Sequence, residues 1–267
     1  HLFKAKTPLR SDTFGYICKE SMNCPGGVPN VSEMVIPYLA TARFSGEDAG
    51  AFLQSQLSAD ILALADGDRT LACYCTPKGK VLGLLLVGRD EAGYLVAAHH
   101  ELLPDILRRL KMFVLRSRVT ISDTGAAAVS GPSGPGFGCS SEAAEMDDAE
   151  AWRAGELLAG IAWLDAASTD SYIPQMLGFE NIGAVSFSKG CYPGQEIVAR
   201  ARYLGKVKRK PVIAAIEGSP DADTGAKIRV RRGEDWFEAV VVDRARLDDR
   251  RTLRGFARKP YLSPAGR

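Results

Sequence analysis

The chain has 267 residues, of which 46% are hydrophobic and 25% are charged, and its net charge at neutral pH is only +2. These values are typical of a globular protein of two or three compact units, and they exclude a nucleic-acid polycation, so direct nucleic-acid binding is not expected. The longest apolar run, residues 81–87, is too short to cross a bilayer. Six loosely spaced cysteines and no leader-like pattern predict a cytoplasmic chain with reduced thiols and no membrane partner.

Residues 1–34 are rich in turn-forming residues and are predicted to be irregular. From about residue 38 the hydrophobic spacing predicts an antiparallel α+β unit. Its strands are expected over residues 39–44, 70–74, 81–87, 94–98 and 119–122. Its helices are expected over residues 46–57, with Ser45 as the cap, and over residues 102–113.

The second half of the chain begins with residues 124–143, which are dominated by Gly, Ala, Ser and Pro and are interpreted as a loop or linker. A helix over 142–158, a short strand over 185–187 and a helix over 195–203 are predicted to follow. Short strands are predicted over 212–216, 226–230, 236–242 and 253–257. Such a run of strands is typical of a small barrel or sandwich that packs against the α+β body.

These elements define three predicted regions. Residues 1–34 form the irregular segment, and residues 209–267 form a C-terminal β-barrel. Residues 35–208 form the α+β region between them, which can comprise two interleaved domains with the second one shortened.

The sequence around Cys191, SFSKGCYPGQEIVARAR at residues 186–202, predicts a strand, a tight loop and a helix. Gly190 and Gly194 allow close backbone approach or positive φ. Cys191 precedes a helix N-terminus and lies two residues after Lys189, and both the helix dipole and an ammonium favour a thiolate. This pattern is typical of a reactive or ligand-contacting cysteine.

The same residues also have a purely structural interpretation. Cys191 can be a small buried apolar side chain, and the glycines can be ordinary turn residues. Gln195 and Glu196 either suit the dipole of the first helical turn or form hydrogen bonds to a heterocycle with donor and acceptor edges. Spacing alone leaves both interpretations open.

The string KGCYPGQEIVAR at residues 189–200 resembles the signature of the YgfZ family, and residues 52–60, 77–80, 173–175 and 183–187 also match. The resemblance extends from about residue 38 to the C-terminus. It implies an aminomethyltransferase-like fold, related to the glycine cleavage T-protein, with a cavity for tetrahydrofolate and a small C-terminal barrel. It also implies that Cys191 is functionally important. The folate-binding residues that it implies are Lys189, Gly190, Tyr192, Gly194, Gln195, Glu196, Arg200 and Arg202.

A basic run follows the motif and contains no acid between residues 200 and 210. It consists of Arg200, Arg202, Lys206, Lys208, Arg209 and Lys210. A solvated face is one interpretation. An anchor for the glutamate tail of folate or for an acidic partner is the second. Nucleic acid is a third, but no aromatic residues alternate with the basic ones to support base stacking.

Two further groups of residues have metal-ligand chemistry. Cys73 and Cys75 share one face of a predicted strand, and packing in an apolar face is favoured over a metal or cluster pair. The adjacent His99 and His100 are interpreted as a surface turn or helix start. Because the chain has only three histidines, no metal site is predicted.

The resemblance implies a tetrahydrofolate-binding protein that assists iron–sulfur enzymes, including tRNA-modifying ones. We expect a concave pterin-sized site between the first unit and residues 189–196. One alternative is a folate-dependent aminomethyltransferase, but relatives with that activity carry an Asp in the strand at residues 81–87, which here reads VLGLLLV. A true aminomethyltransferase is therefore not expected. A folate-free interaction scaffold is the second alternative.

Overall fold

The chain forms three sheets and five helices over the residues that the computed structural model describes, which are 34–122, 126–131, 134–139, 144–145, 149–205, 207, 209–217, 223–232, 235–247 and 250–258. The strands are β1 (Met34–Val35), β2 (Leu39–Ser45), β3 (Arg69–Cys75), β4 (Val81–Asp90), β5 (Gly93–His99), β6 (Thr120–Ser122), β7 (Ala126–Gly131), β8 (Gly134–Cys139), β9 (Ala144–Glu145), β10 (Arg209–Glu217), β11 (Lys227–Arg232), β12 (Asp235–Leu247) and β13 (Arg250–Arg258). The helices are α1 (Ala49–Gln56), α2 (Leu103–Lys111), α3 (Ala149–Ala159), α4 (Pro174–Leu177) and α5 (Gln195–Tyr203). The α+β class is confirmed. The predicted irregular segment lies outside the described residues except for Met34, which is in β1.

The central sheet is antiparallel in the order β3-β4-β5-β2-β6. Residues 81–88 of β4 are all buried, as their uninterrupted apolar sequence requires. Helix α2 covers this sheet, and a Cβ at Gly83 would lie 2.8 Å from Ile106 Cδ1. The missing side chain of Gly83 therefore lets α2 approach β4. Burying an apolar side chain such as that of Ile106 contributes about 2 kcal/mol to the free energy of unfolding.

The helix preceding β3 begins later than predicted. Ser45 is part of β2 and pairs with Thr120 of β6, so it does not cap a helix. Asp48 is the N-cap of α1, but its carboxylate accepts the Arg118 backbone N–H at 2.7 Å instead of capping the helix. The predicted start at residue 46 is therefore three residues early.

The stretch interpreted as a linker contains β-structure instead. Strands β7 and β8 pair as an antiparallel hairpin, and β1 pairs with β7 on one side and in parallel with β9 on the other. Ladder hydrogen bonds need only backbone groups, so a composition of small residues did not prevent pairing. The helix predicted over 142–158 likewise begins at Ala149, because Ala144–Glu145 is drawn into this sheet.

The C-terminal region is a four-stranded antiparallel sheet in the order β10-β13-β12-β11. All four predicted strands are present, and within the described ranges no helix follows α5. Pairing between β10 and β11, which would close the sheet, is not seen among the described residues. Closure into a barrel and a domain boundary at residue 209 therefore stay predictions.

A buried ion pair joins helix α3 to this C-terminal sheet. Arg153 Nε and a terminal guanidinium nitrogen donate to Asp243 Oδ1 at 2.9 and 2.6 Å, and the Trp163 backbone N–H donates to Asp243 Oδ2 at 2.9 Å. Asp243 is 1% exposed. Its negative charge is compensated by a cation and several N–H donors, which a buried carboxylate requires. Among the described residues no helix is long and apolar enough to span a membrane.

Candidate functional site

The Cys191 loop, defined as residues 189–194, leads into helix α5. Gly194 is the N-cap of this helix and has a φ of 82°. A Cβ at Gly194 would lie 2.3 Å from the Thr76 carbonyl oxygen and 2.7 Å from Gly79 Cα. Only glycine suits both the left-handed φ and this contact. The loop therefore lies directly against the turn between β3 and β4.

The chain just before the loop is held by Ser58. The Ser58 hydroxyl donates to the Ala184 carbonyl at 2.5 Å and accepts the Cys73 N–H at 2.7 Å, while the Ser58 carbonyl accepts the Ser186 N–H at 2.8 Å. The strand predicted over 185–187 is wrong, because these backbone groups bond to Ser58 and not to a neighbouring strand. Sequence reasoning assigned no role to Ser58, since a single serine carries no signal of its long-range partners.

Cys191 is exposed to solvent. The interpretation of this residue as a small buried apolar side chain is therefore wrong. Gly190 is exposed beside it, and a Cβ there would meet nothing within 4 Å. In contrast, Lys189 and Tyr192 are only 7% and 6% exposed. The loop is thus anchored by its buried residues and presents its thiol at the surface.

Lys189 is one of these anchors. Its ammonium donates hydrogen bonds to the backbone carbonyls of Gln54 and Leu57 at the end of α1. Burial lowers the pKa of Lys189 to about 8, although the nearby Asp60 and Cys191 act to raise it. The hydrogen bonds of the ammonium thus go to the protein backbone, and stabilisation of a Cys191 thiolate by Lys189 stays a prediction.

Tyr192 is the second anchor. Its ring lies 5.1 Å from Lys189 Nζ, measured to the ring centroid. Burial raises the pKa of Tyr192 above its ordinary value, and the nearby Cys75 and Cys73 raise it further, so the phenol stays neutral. The Tyr192 hydroxyl has no hydrogen-bond partner among the described residues. It is a polar atom that a water or a bound molecule would satisfy.

The first turns of α5 carry three of the predicted folate-binding side chains. The Gln195 backbone N–H donates to the Tyr192 carbonyl at 3.1 Å, which closes the turn into the helix. Glu196 is exposed and pairs with Arg200 at 2.9 Å, one helical turn later. An exposed pair of this kind contributes little to stability, so both groups can exchange this contact for a ligand.

Arg202 faces a different environment from Arg200. Its guanidinium carbon lies 4.1 Å from the centroid of the Phe187 ring and 5.8 Å from that of Tyr203. The two rings are 6.1 Å apart in an edge-to-face arrangement. Residues two apart on a helix point to different sides, so the predicted basic run does not form a single face here. Lys206 and Lys208 lie outside the described residues.

The other residues with metal-ligand chemistry lie elsewhere. Cys73 and Cys75 are fully buried, as the packing interpretation predicted, and burial raises the pKa of Cys73 to about 12. His99 is also buried, at 6% exposure, so its interpretation as a surface residue is wrong. His99 closes β5 opposite Leu39, and this pairing draws it into the core.

The geometry brings Lys189, Cys191, Tyr192 and Gly194 together in one loop, with Gln195 and Glu196 in the adjoining helix. An exposed thiol on an anchored loop can act as a nucleophile, a redox group or a ligand contact. The exposed Glu196 carboxylate and Arg200 guanidinium, one helical turn apart on α5, can meet a polar heterocycle or an anionic tail.

The chain is similar in sequence to known proteins from several bacteria. The tRNA-modifying protein YgfZ of Klebsiella pneumoniae (strain 342) is 27% identical over 82% of this chain and 83% of its own length. The protein of the same name from Cronobacter sakazakii is 27% identical over 80% of both chains. An uncharacterized protein of Haemophilus influenzae is 30% identical over 75% of this chain and 79% of its own. No family model matches the chain.

The same fold is also found among solved structures. The crystal structure of glycine cleavage system aminomethyltransferase T from Bartonella henselae superposes with a TM-score of 0.63, over 85% of this chain and 78% of the other. Sequence identity is 14%, so the likeness concerns the fold alone. The predicted aminomethyltransferase-like fold is confirmed.

Proposed function

The chain belongs to the YgfZ family, and on that premise we propose that it binds tetrahydrofolate and assists the assembly, repair or activity of iron–sulfur enzymes, including tRNA-modifying ones. The observation that carries this proposal is the exposed thiol of Cys191 on an anchored loop. A cysteine kept only for packing would be buried, as Cys73 is.

The side chains of the site fit the chemistry of a folate. Glu196 offers a carboxylate acceptor to a pterin edge, and Arg200 offers donors to the anionic glutamate tail. The Tyr192 hydroxyl supplies a buried polar atom without a protein partner in the described part of the chain. Lys189 acts in this proposal as a positioning residue, since its hydrogen bonds hold the loop on α1.

A true aminomethyltransferase is disfavoured by strand β4. Managing protons during one-carbon transfer needs an acid near the folate, but residues 81–88 are buried and contain no ionisable group. Asp90, at the end of β4, forms a two-point ion pair with Arg43 at 2.6 and 2.7 Å, which lowers its pKa. The purified protein is expected to form no methylenetetrahydrofolate from an aminomethyl donor at an enzymatic rate, and robust turnover would contradict the proposal.

Folate binding is tested by calorimetric titration of the full chain with tetrahydrofolate. The wild type and Cys191→Ala are expected to bind, whereas Glu196→Gln combined with Arg200→Gln is expected to bind about tenfold more weakly. Asp105→Asn, an exposed carboxyl change on α2, is the matched control. No binding by the wild type would favour the folate-free scaffold.

Assistance to iron–sulfur enzymes needs a separate test in cells. A strain that lacks the endogenous gene is complemented with the wild type or with Cys191→Ala, and the activity of an iron–sulfur tRNA-modifying enzyme is measured. We expect Cys191→Ala to accumulate normally but to restore little activity. Full restoration by Cys191→Ala would show that the thiol has no part in the proposed function. Folate binding would not be affected by that result, because the calorimetric titration tests it separately.

A further inference from the structure

Three side chains with metal-ligand chemistry lie together where β5 ends, remote in sequence from the Cys191 loop. His99 is the last residue of β5, and His100 and Glu101 follow it before α2. One ligand atom from each lies within 4.8 Å of the other two. The two imidazole rings are stacked, with their centroids 4.7 Å apart. Two imidazoles and a carboxylate thus already share one small volume.

His99 is the fixed member of this group. It is 6% exposed, and its Nδ1 has no hydrogen-bond partner among the described residues. A buried polar atom without a partner costs about 1–3 kcal/mol, and a bound ion or water is a common reason for its presence.

His100 is oriented by the backbone of the turn that precedes β2. Its Nδ1 lies 3.2 Å from the Tyr38 carbonyl oxygen, which also accepts the His100 backbone N–H at 3.0 Å. Because a carbonyl oxygen only accepts, Nδ1 carries the proton and Nε2 keeps the lone pair. Metal-binding histidines commonly make this contact through their second nitrogen.

Glu101 supplies the negative charge of this group. Its Oε2 accepts the Ala166 backbone N–H at 3.1 Å, and its carboxylate lies beside the two imidazoles. The Arg153 guanidinium is paired with the Asp243 carboxylate at 2.6 Å, so its positive charge is compensated. A carboxylate therefore lies within the group, as a cation site requires.

We propose that His99, His100 and Glu101 form a binding site for a divalent transition-metal cation of the Zn²⁺ type. Two imidazole nitrogens and one carboxylate oxygen are a common donor set for such ions, with water completing the coordination. At bond lengths of about 2.1 Å, tetrahedral ligand atoms lie about 3.4 Å apart. Separations of up to 4.8 Å therefore close by roughly 1.4 Å. A tilt of the exposed His100 ring about its Nδ1 contact to Tyr38, together with rotation of the exposed Glu101 side chain, supplies this movement. Glu101 then exchanges its 3.1 Å bond from the Ala166 N–H for the ion.

The probe is Co²⁺, which occupies sites of the Zn²⁺ type and absorbs visible light there. The full chain is freed of any affinity tag, treated with a chelator and titrated with Co²⁺. We expect one Co²⁺ per chain, visible ligand-field bands, no near-ultraviolet band from a thiolate ligand, and displacement by Zn²⁺. A thiolate band would assign the metal to cysteines, and no visible band at all would equally overturn the proposal.

Two exposed substitutions locate the ion. His100→Ala and Glu101→Gln are expected to weaken Co²⁺ binding at least about tenfold each and to abolish the rise in Tm that Zn²⁺ causes in the wild type. Asp105→Asn removes an exposed carboxyl four residues away and should bind as the wild type does. Unchanged affinity in both His100→Ala and Glu101→Gln would show that the ion binds elsewhere.

Discussion

The Lys189 ammonium donates a hydrogen bond to the Leu57 carbonyl oxygen, 2.5 Å away, and so fastens the Cys191 loop to the end of helix α1. The Gln54 carbonyl accepts from the same ammonium. The last carbonyls of a helix lack intrahelical hydrogen-bond donors and carry the negative end of the helix dipole. The Lys189 ammonium therefore supplies this end of α1 with both a donor and a positive charge. The exposure of Cys191 therefore depends on a lysine that is itself buried.

The first prediction concerns the pH dependence of this contact. Burial lowers the pKa of Lys189 from its ordinary value of 10.5 to about 8. Between these values the unfolded chain binds more protons than the folded chain, so this lysine makes stability rise with pH. The unfolding free energy of the wild type relative to Lys189→Met should therefore increase from pH 8 to pH 10.5 and stay constant below pH 8.

Urea unfolding at a series of pH values measures this difference, because groups that titrate in both variants cancel. Lys78→Met, which removes an exposed lysine from the turn between β3 and β4, is the control and should show no such rise. If the difference in unfolding free energy between the wild type and Lys189→Met does not change with pH, the Lys189 ammonium is hydrated in solution and not buried.

The second prediction compares two glycines of the Cys191 loop. Gly194→Ala places a methyl group against the Thr76 carbonyl at a left-handed φ, and we expect it to lower the unfolding free energy by about 1–3 kcal/mol. Gly190→Ala meets nothing within 4 Å and should change stability by less than about 0.5 kcal/mol. Denaturant unfolding measures the unfolding free energy of both variants. Equal losses in the two would contradict the contact of the loop with the turn between β3 and β4.

The third prediction concerns the cysteines. Cys191 should be alkylated in the native protein, whereas Cys73 and Cys75 should react only after denaturation, because both are buried and burial raises both of their pKa values. Peptide-resolved mass spectrometry after timed iodoacetamide treatment measures the three rates. Protection of Cys191 to the same degree as Cys73 would return it to a packing role.

The fourth prediction concerns Glu156, whose Oε2 accepts from the Tyr38 hydroxyl at 2.5 Å and from Trp163 Nε1 at 2.8 Å. Burial raises the pKa of Glu156 from 4.5 to about 7, although both hydrogen bonds lower it. Between these values the folded chain binds the extra proton, so the stability of the wild type falls as pH rises.

Relative to Glu156→Gln, the wild type should lose about 3 kcal/mol of unfolding free energy between pH 4.5 and pH 7. Glu150→Gln changes an exposed carboxyl on the same helix and is the matched control. The comparison is made by urea unfolding in buffers of equal ionic strength. A pH-independent difference would show that Glu156 stays ionised in the folded chain.

Local patterns were sufficient for much of the fold. Strand β4 and helix α5 were predicted within a few residues, because an uninterrupted apolar run and a glycine followed by helix-forming residues act over short distances. The composition of residues 124–143 led to the wrong prediction of a loop where β7 and β8 form. Small residues that usually mark a loop also allow backbone pairing.

The sequence by itself determined the family, through one motif, and with it the loop that carries Cys191. Only the tertiary structure decided that the thiol is exposed while Lys189 is buried, and that His99 lies in the core. The physical reason is distance along the chain. Lys189 finds its acceptors 132 and 135 residues away, and no local pattern specifies partners so remote. Burial of a polar side chain is settled by the groups that fold around it.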